Sequence, residues 1–485
     1  MLHKLNQNKW YLFASFIACC TVYTIYIRDY HASTAVYPLA LFMIGFILLL
    51  PKRQDFACLL VLLISGLAFS VVTPVLNTPD EYVHLSRAMH IAQGDINLDN
   101  NPANLQISED YFVIVDDYTM PPLAVDAFEY QHSSTEVPFK GLADFRTTNA
   151  YWFIGYIPQV IGITLGRALN LNVGLIYYLG RIFNAICYAL LAYIAVKLSG
   201  NFRQIMMLIV LMPMNIFLAA SYNQDGVALG FIYVIIGLFI HYLTRQKMLG
   251  YKELVMFTAL SCLIITLKLP YILLMGLLFF IPKERFSIKF PTISILLVSC
   301  LVLALTAIWF IGYQQIKSTT TLQGVGLVGQ IQYFLSNPSH GLLALSKEFF
   351  LTPHRLVMLF YFGILNLPMR ETLIPIFTFY LFVIASNLGQ KQVTLRSRTG
   401  SILIGLGIIC GIILVMYLTW TKIGYGHVDG IQGRYYLGVL PLFALSITAL
   451  PIKSFTPFRI SDAFVIKGSW IILTMVLVFI VLSTY

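Results

Sequence analysis

Apolar runs of roughly 20 residues recur from one end of this chain to the other, and a helix needs about that length to cross some 30 Å of hydrocarbon. Thirteen runs are legible, at about 11–27, 34–50, 56–76, 174–197, 204–221, 226–244, 253–267, 271–281, 292–313, 374–388, 400–420, 435–451 and 464–484. With 58% hydrophobic and only 11% charged residues among 485, polar surface cannot cover such a core, so lipid must solvate it. The expectation is an all-α polytopic membrane protein with about 13 transmembrane helices. The seventh, eighth and tenth runs are short, and the Lys268-Leu269-Pro270 break requires shielding by protein or by a water-filled cavity. Lys4 and Lys9 precede the first run without a small-residue cleavage site, so the first helix is expected to remain as an anchor.

The net charge of +10 is explained by loop sorting rather than by nucleic acid. With the N-terminus in the cytoplasm, the inner side collects 18 Lys/Arg, including Lys52, Arg53, Arg245, Lys247, Lys252, Lys283, Arg285, Arg396 and Arg398. Only four acids accompany them (Asp55, Glu253, Glu284, Asp462), whereas the outer side has 13 bases and 17 acids. This sorting requires that 150–169, with Tyr151-Trp152-Phe153, lie along the outer surface as a juxtamembrane helix, and 353–370 likewise. All seven cysteines (Cys19, Cys20, Cys58, Cys187, Cys262, Cys300, Cys410) fall within apolar runs without a CxxC or Cys/His cluster, which argues against disulfides and structural zinc. Residues 1–55 read as a two-helix extension and 56–485 as the main transmembrane domain. Within it, 77–170 forms a large first outer loop carrying juxtamembrane helices, and 315–372 a second outer segment. The part 77–149 holds 12 of the 21 acids and only three bases, so it stands outside the hydrocarbon.

Directly after the third run comes Asn77-Thr78-Pro79-Asp80-Glu81-Tyr82-Val83-His84-Leu85-Ser86-Arg87-Ala88. As local structure it starts a helix, with Thr78 as N-cap, Pro79 in first position and Glu81 completing a capping box. That reading leaves His84 and Arg87 unexplained. Helical spacing puts Asp80, His84 and Arg87 on one face, so an acid, an imidazole and a cation are expected to converge where the chain leaves the bilayer; a solvated charged face has the same pattern. Arg434, Lys268 and Arg181 each fall near the outer end of a run, at one depth. Arg434 and Arg181 are also readable as snorkelling anchors, whereas Lys268, between two short spans, would be costly unpaired. Asp225 opens the sixth run, where it either complements the helix dipole or serves to orient the acceptor or help hold a metal. His427 and Asp429, one residue apart, are too few ligands for a metal site.

Several strings, in order, resemble a family of bacterial membrane proteins catalogued as a domain of unknown function and placed within the GT-C superfamily. They are Pro79-Asp80-Glu81 with His84, Arg87-Ala88 and Ala92-Gln93-Gly94; Tyr156-Ile157-Pro158-Gln159; Gly180-Arg181 with Asn184; Met212-Pro213-Met214 leading to Ser221 and Asp225; Lys268 with Pro270; Asn337-Pro338; and Gly430-Ile431-Gln432-Gly433-Arg434-Tyr435. The similarity covers about 70–450. One stretch departs: 363–375 reads Gly-Ile-Leu-Asn-Leu-Pro-Met-Arg-Glu-Thr-Leu-Ile-Pro where the family is expected to carry a Trp-Asp segment, so no role transfers to it.

The resemblance implies a GT-C-like fold and an inverting transfer of sugar from a polyprenyl-phosphate carrier to an acceptor hydroxyl outside the cytoplasm. In that chemistry Asp80 is the expected general base with Glu81 as second candidate, and Arg434, Lys268 and Arg181 are expected on the donor phosphate. His84, Arg87, Asp225, Gln432 and Tyr435 would support them. No cofactor is expected, and divalent metal dependence stays open. The expected partners are the lipid-linked sugar, a cell-wall or surface glycan or other exported acceptor, and the bilayer of the cell membrane. A lipid-linked-sugar flippase or transporter, or a non-catalytic partner of a polysaccharide assembly machine, are the alternatives. A flippase should show internal repeats, and none stands out.

Overall fold

The computed structural model describes residues 2–27, 33–98, 104–116, 128–139, 148, 151–316, 324–387, 393–448 and 460–485. It is 76% helical. Among the described residues six helices are long and apolar enough to cross a membrane: Gln54–Val72, Val173–Leu198, Asp225–Thr244, Pro291–Trp309, Leu395–Thr419 and Asp462–Thr484. Gly200–Val210 and Pro213–Ala219, bent by 69°, make a seventh if read as one span. Helices Asp225–Thr244 and Asp462–Thr484 run through the interior, while Pro291–Trp309 keeps most of its surface outward.

Of the other runs of the expected 13, the first forms the unbroken 25-residue helix Leu2–Tyr26 and the tenth lies in the 18-residue helix Arg370–Asn387, whereas the rest take shorter or broken forms. Val36–Phe46 is an 11-residue helix. After helix Tyr251–Leu267 the backbone extends at Lys268 (φ −149°, ψ 93°) and continues as a 12-residue 3₁₀ helix, Leu269–Phe280. At about 2.0 Å rise per residue such a segment reaches about 24 Å, against about 18 Å as an α-helix, which lets a short sequence cover most of the hydrocarbon depth. A second 3₁₀ helix, Gly433–Val439, packs against the first, with the Tyr271 hydroxyl donating to the Tyr435 carbonyl at 2.9 Å.

Residues 150–169 include the 3₁₀ turn Phe153–Tyr156 and helix Ile157–Ala168, whose 12 residues span about 18 Å and are too short to cross. The helix is two-faced: Ile157, Ile161 and Leu165 are exposed, and Gln159, Gly162, Ile163 and Gly166 are buried. The stretch 353–370 is likewise no span. It finishes helix Pro338–Leu356, makes a 3₁₀ turn (Val357–Phe360), and closes a two-stranded antiparallel ladder of Tyr361–Phe362 with Leu367–Pro368.

The bend at Pro213 would strand backbone carbonyls in an apolar interior, where each needs a partner. The sequence supplies them from buried side chains. The Asn215 amide donates to Ile209 O at 2.6 Å and the Tyr188 hydroxyl to Val210 O at 2.8 Å. Beyond the bend, Asn184 donates to Ser221 O (2.9 Å), Asn223 to Leu218 O (2.7 Å), and Gln159 to Asn223 O. The irregular stretch 220–224 is thereby fixed and delivers Asp225 to the first turn of its helix. Tyr188→Phe keeps the ring and removes the only donor the described residues give the Val210 carbonyl. It should cost about 1–3 kcal/mol, read as a lowered midpoint of thermal unfolding in detergent; an unchanged midpoint would show that the bend does not need this bond.

Candidate functional site

Five segments end at one end of the bundle: helix Gln54–Val72, helix Glu81–Ala92, the start of helix Asp225–Thr244, the junction at Lys268, and the start of the 3₁₀ helix Gly433–Val439. Their meeting point is ionic. The Lys268 ammonium lies 2.9 Å from Asp225 Oδ1; the Asp225 side chain is buried and that of Lys268 is 10% exposed. Arg434 extends Nη2 to Asp80 Oδ2, donates Nη1 to the Pro79 carbonyl at 3.1 Å, and brings Nε to 3.9 Å from Asp225 Oδ2. Asp80 and Arg434 are 354 residues apart in the chain. The Tyr435 ring stands 5.5 Å from the Lys268 nitrogen and 5.5 Å from the Arg434 guanidinium carbon, with its face available to both cations.

Asp80 is the exposed member of this group. Its side chain is 49% exposed, whereas that of Arg434 is 5% exposed. Its backbone is left-handed (φ 63°, ψ 13°), an uncommon state for a residue with a side chain. The capping box expected from the sequence does not form as drawn. The helix begins at Glu81 rather than Pro79, Asp80 occupies the N-cap position, and the Thr78 hydroxyl donates to the Glu81 carboxylate at 2.9 Å.

Glu81 and Arg181 are not where their expected roles need them. Both are fully buried and bonded to each other: Arg181 Nε donates to Glu81 Oε1 at 2.8 Å and Nη2 to Oε2 at 2.7 Å. Oε1 also accepts from the Tyr177 hydroxyl and the Tyr222 amide, both at 3.0 Å. Arg181 spends its other donors on the carbonyls of Ser70 (3.1 Å), Thr73 (2.7 Å) and Pro74 (2.8 Å). A carboxylate with its lone pairs filled cannot take a proton from an acceptor, and a guanidinium used on five oxygens has none left for a phosphate. The pair is a frame: it ties the end of helix Gln54–Val72, the start of helix Glu81–Ala92, helix Val173–Leu198 and the 221–225 turn to one another. Gly180 belongs to the same frame, since a Cβ there would fall 1.9 Å from the Tyr222 hydroxyl.

His84 donates to or accepts from the Tyr156 hydroxyl at 2.8 Å through Nδ1. Burial holds its pKa down to about 4, against the opposing influence of Asp80 and Asp225, so the ring is neutral at ordinary pH. Arg87 points away from Asp80, donating to the Ile96 carbonyl beyond the helix end. The expected convergence of Asp80, His84 and Arg87 is therefore only partial, because Asp80 precedes the helix in a left-handed state and its carboxylate turns to Arg434. Gln432 lies at the start of the 3₁₀ helix that carries Arg434 and Tyr435. Gly433 between them packs directly on backbone, with the position of a Cβ only 2.3 Å from the Arg355 carbonyl. His427 and Asp429 form an exposed pair at 2.9 Å. The departing stretch 363–375 opens with the ladder's turn, where Gly363 packs beside Asn77.

Sequence reasoning missed three contributors. Tyr151, read as a headgroup aromatic, has its hydroxyl pKa pushed up by burial and feels the charges of Asp225, Arg434 and Asp80. The Trp152 amide donates to the Thr266 carbonyl at 3.0 Å, and its ring meets Trp309 edge-on at 5.3 Å, which anchors this segment beside Lys268. Gln224 donates to Asp225 Oδ1 at 3.2 Å, and the amide oxygens of Gln224 and Gln432 accept no hydrogen bond among the described residues. No spacing rule connects these residues. They come together because three helix N-termini, those of Glu81–Ala92, Asp225–Thr244 and Leu269–Phe280, face the same point, an arrangement whose partial positive charge favours anions.

The fold and this site define a helical, multi-span membrane protein with an ionic cluster at one end of its bundle. Residues 63–443 match the model of the family described as Predicted membrane protein (DUF2142), and the chain belongs to that family. Comparison with curated proteins and with solved structures finds no match.

Removing Arg181 as Arg181→Met leaves the Glu81 carboxylate buried without its cation and should cost about 3–5 kcal/mol. Folded yield and thermal unfolding in detergent report it, and pairing the change with Glu81→Leu should recover part of the loss. A single variant as stable as the parent would refute the frame. For His84, the folded pKa of about 4 lies below the ordinary 6.5, so its stabilising contribution is complete above pH 6.5 and declines as pH falls towards 4. His84→Gln should therefore make the unfolding midpoint less sensitive to pH over that interval; an identical slope would mean that His84 titrates normally.

Proposed function

We propose that this protein is a GT-C-type inverting glycosyltransferase that moves a sugar from a polyprenyl-phosphate donor to an acceptor hydroxyl on the extracytoplasmic face of the cell membrane. The acceptor is a cell-wall or surface polysaccharide or another exported molecule. The observation that carries this reading is the meeting of Asp80 and Arg434 beside the Lys268–Asp225 pair at one end of the bundle. A transfer of this kind needs one carboxylate that solvent can reach and cations fixed where a lipid phosphate departs. Asp80 is the half-exposed carboxylate, and the cations are Arg434, which is buried, and Lys268, which is largely so.

In the reaction, the acceptor hydroxyl gives its proton to an Asp80 carboxylate oxygen as its own oxygen bonds to the anomeric carbon. The bond from that carbon to the phosphate oxygen breaks, and the polyprenyl phosphate leaves with the electron pair, its charge met by Arg434 and Lys268. Arg434 supplies directional donors for phosphate oxygens and Lys268 a point charge. The three helix N-termini add to the same potential. Asp225 holds Lys268 and faces Arg434, which makes it a positioning residue for both cations. Gln224 and Gln432 offer free amide oxygens to hydroxyls of the sugar or the acceptor.

Purified protein supplied with polyprenyl-phosphate sugars and candidate acceptors should form product, and Asp80→Asn should lower the rate by about 10²–10⁴-fold, the usual worth of a general base, with unchanged elution behaviour and a loss of stability no larger than the roughly 1 kcal/mol of a half-exposed ion pair. Full activity in that variant would remove Asp80 from the chemistry. Translocation of the lipid-linked sugar in vesicles without transfer would favour the flippase reading instead.

A further inference from the structure

Arg434 has the same guanidinium committed twice. In the structure it grips Asp80, yet in the reaction proposed above it must grip the donor phosphate, and the inference that follows rests on that reading. Nη2 goes to Asp80 and Nη1 to the Pro79 carbonyl, so the two outer nitrogens both serve the chain segment that carries the base. Lys268 is likewise engaged by Asp225. Taken together, two cations and two carboxylates balance, which leaves no net charge to attract an anion while Asp80 stays in place.

The two carboxylates are unequal. Asp225 is 5% exposed, opens a buried helix and contacts Lys268, Arg434 and Gln224. Asp80 is 49% exposed and occupies a left-handed N-cap position in which its side chain caps nothing. An Asp in that backbone state is held there by its surroundings, and among the described residues its side chain hydrogen-bonds to Arg434 alone. Asp80 is thus the carboxylate that an incoming anion can replace at least cost. Replacement leaves the cluster with one uncompensated positive charge, which one phosphate charge neutralises.

We infer that Asp80 is a latched base: in the resting protein its carboxylate occupies the position on Arg434 that the donor phosphate takes, and donor binding exchanges the one anion for the other and frees Asp80 for the acceptor. The consequence is an order of events. The donor enters first, and the base becomes competent only when there is a sugar to transfer, so Asp80 does not activate water or acceptor in its absence. The carboxylate that is indispensable for turnover also weakens donor binding, because it competes for the same cation.

The test uses the full-length protein in detergent micelles, with farnesyl phosphate as a short-chain isoprenyl monophosphate probe. Equilibrium binding should be tighter in Asp80→Asn than in the parent, by about threefold to tenfold for a half-exposed ion pair, and at least tenfold weaker in Arg434→Gln. Carbodiimide labelling of parent protein, read by mass spectrometry, should show Asp80 more reactive when farnesyl phosphate is present. If Arg434→Gln binds the probe as the parent does, the phosphate site itself is wrong. If Arg434→Gln loses binding but Asp80→Asn binds equally or more weakly, or the labelling of Asp80 does not rise, the phosphate site stands and the latch is overturned. Unfolding midpoints of both variants are recorded alongside, and the labelling arm needs no variant at all.

Discussion

The buried Glu81–Arg181 pair is the interaction on which the geometry of this end of the molecule depends. Two charges with no exposure to solvent survive in an apolar interior only when each is completely bonded, and here each is: the carboxylate accepts five hydrogen bonds and the guanidinium reaches three backbone carbonyls in addition to it. Those partners come from four separate segments, so their mutual positions are fixed together. Asp80 is the residue next to Glu81, and Asp225 lies three residues beyond Tyr222, whose amide the same carboxylate holds. The spacing between the two acids of the site is therefore set by a third acid that takes no part in it.

The same logic explains why the cluster stands where helices break. An uninterrupted helix satisfies its own backbone and offers a site only side chains. A broken one exposes an N-terminus, and buried amides must then cover the loose carbonyls, as Asn184, Gln159, Asn215 and Asn223 do around 209–225. Lys268 stands at the junction of an α-helix with a 3₁₀ helix, and Arg434 in the first turn of another. The larger rise per residue of 3₁₀ gives Leu269–Phe280 the reach to cover most of the membrane depth, and the Tyr271–Tyr435 bond joins it to the second 3₁₀ segment.

Much of this was legible in the sequence, and what was not has physical causes. The membrane class follows from hydropathy, and Asp80, Lys268, Asp225 and Arg434 were all singled out at helix ends, where charged groups in such a chain must be paired or used. Glu81 and Arg181 carry the same signal yet bind each other, since nothing local tells whether a charge beside a helix end turns outward or finds a counter-ion 100 residues away. The left-handed turn at Asp80 was equally invisible: Thr-Pro-Asp-Glu reads as a regular helix start, and only the pull of Glu81 inward and Arg434 outward moves the start to Glu81. Of the 13 apolar runs, the first is one continuous α-helix, and the break expected at Lys268-Leu269-Pro270 is where the chain passes into a 3₁₀ segment; what hydropathy does not tell is which interrupted run winds as 3₁₀ and which bends.

A cluster that is already neutral poses a question that a row of unpaired cations would not. Fixed cations alone would bind any anion, including phosphate and free headgroups from the surrounding bilayer, and would be costly to desolvate in the resting state. Pairing each with a carboxylate removes that cost and raises selectivity, because an anion must then outcompete a tethered one. The two pairs differ in how firmly they resist. Lys268 and Asp225 are 10% and 5% exposed and supported by Tyr435 and Gln224, whereas the Asp80 end of the Arg434 pair faces solvent. A site built this way has one defined place at which to open, and the group that opening would release is the carboxylate required by the transfer proposed above.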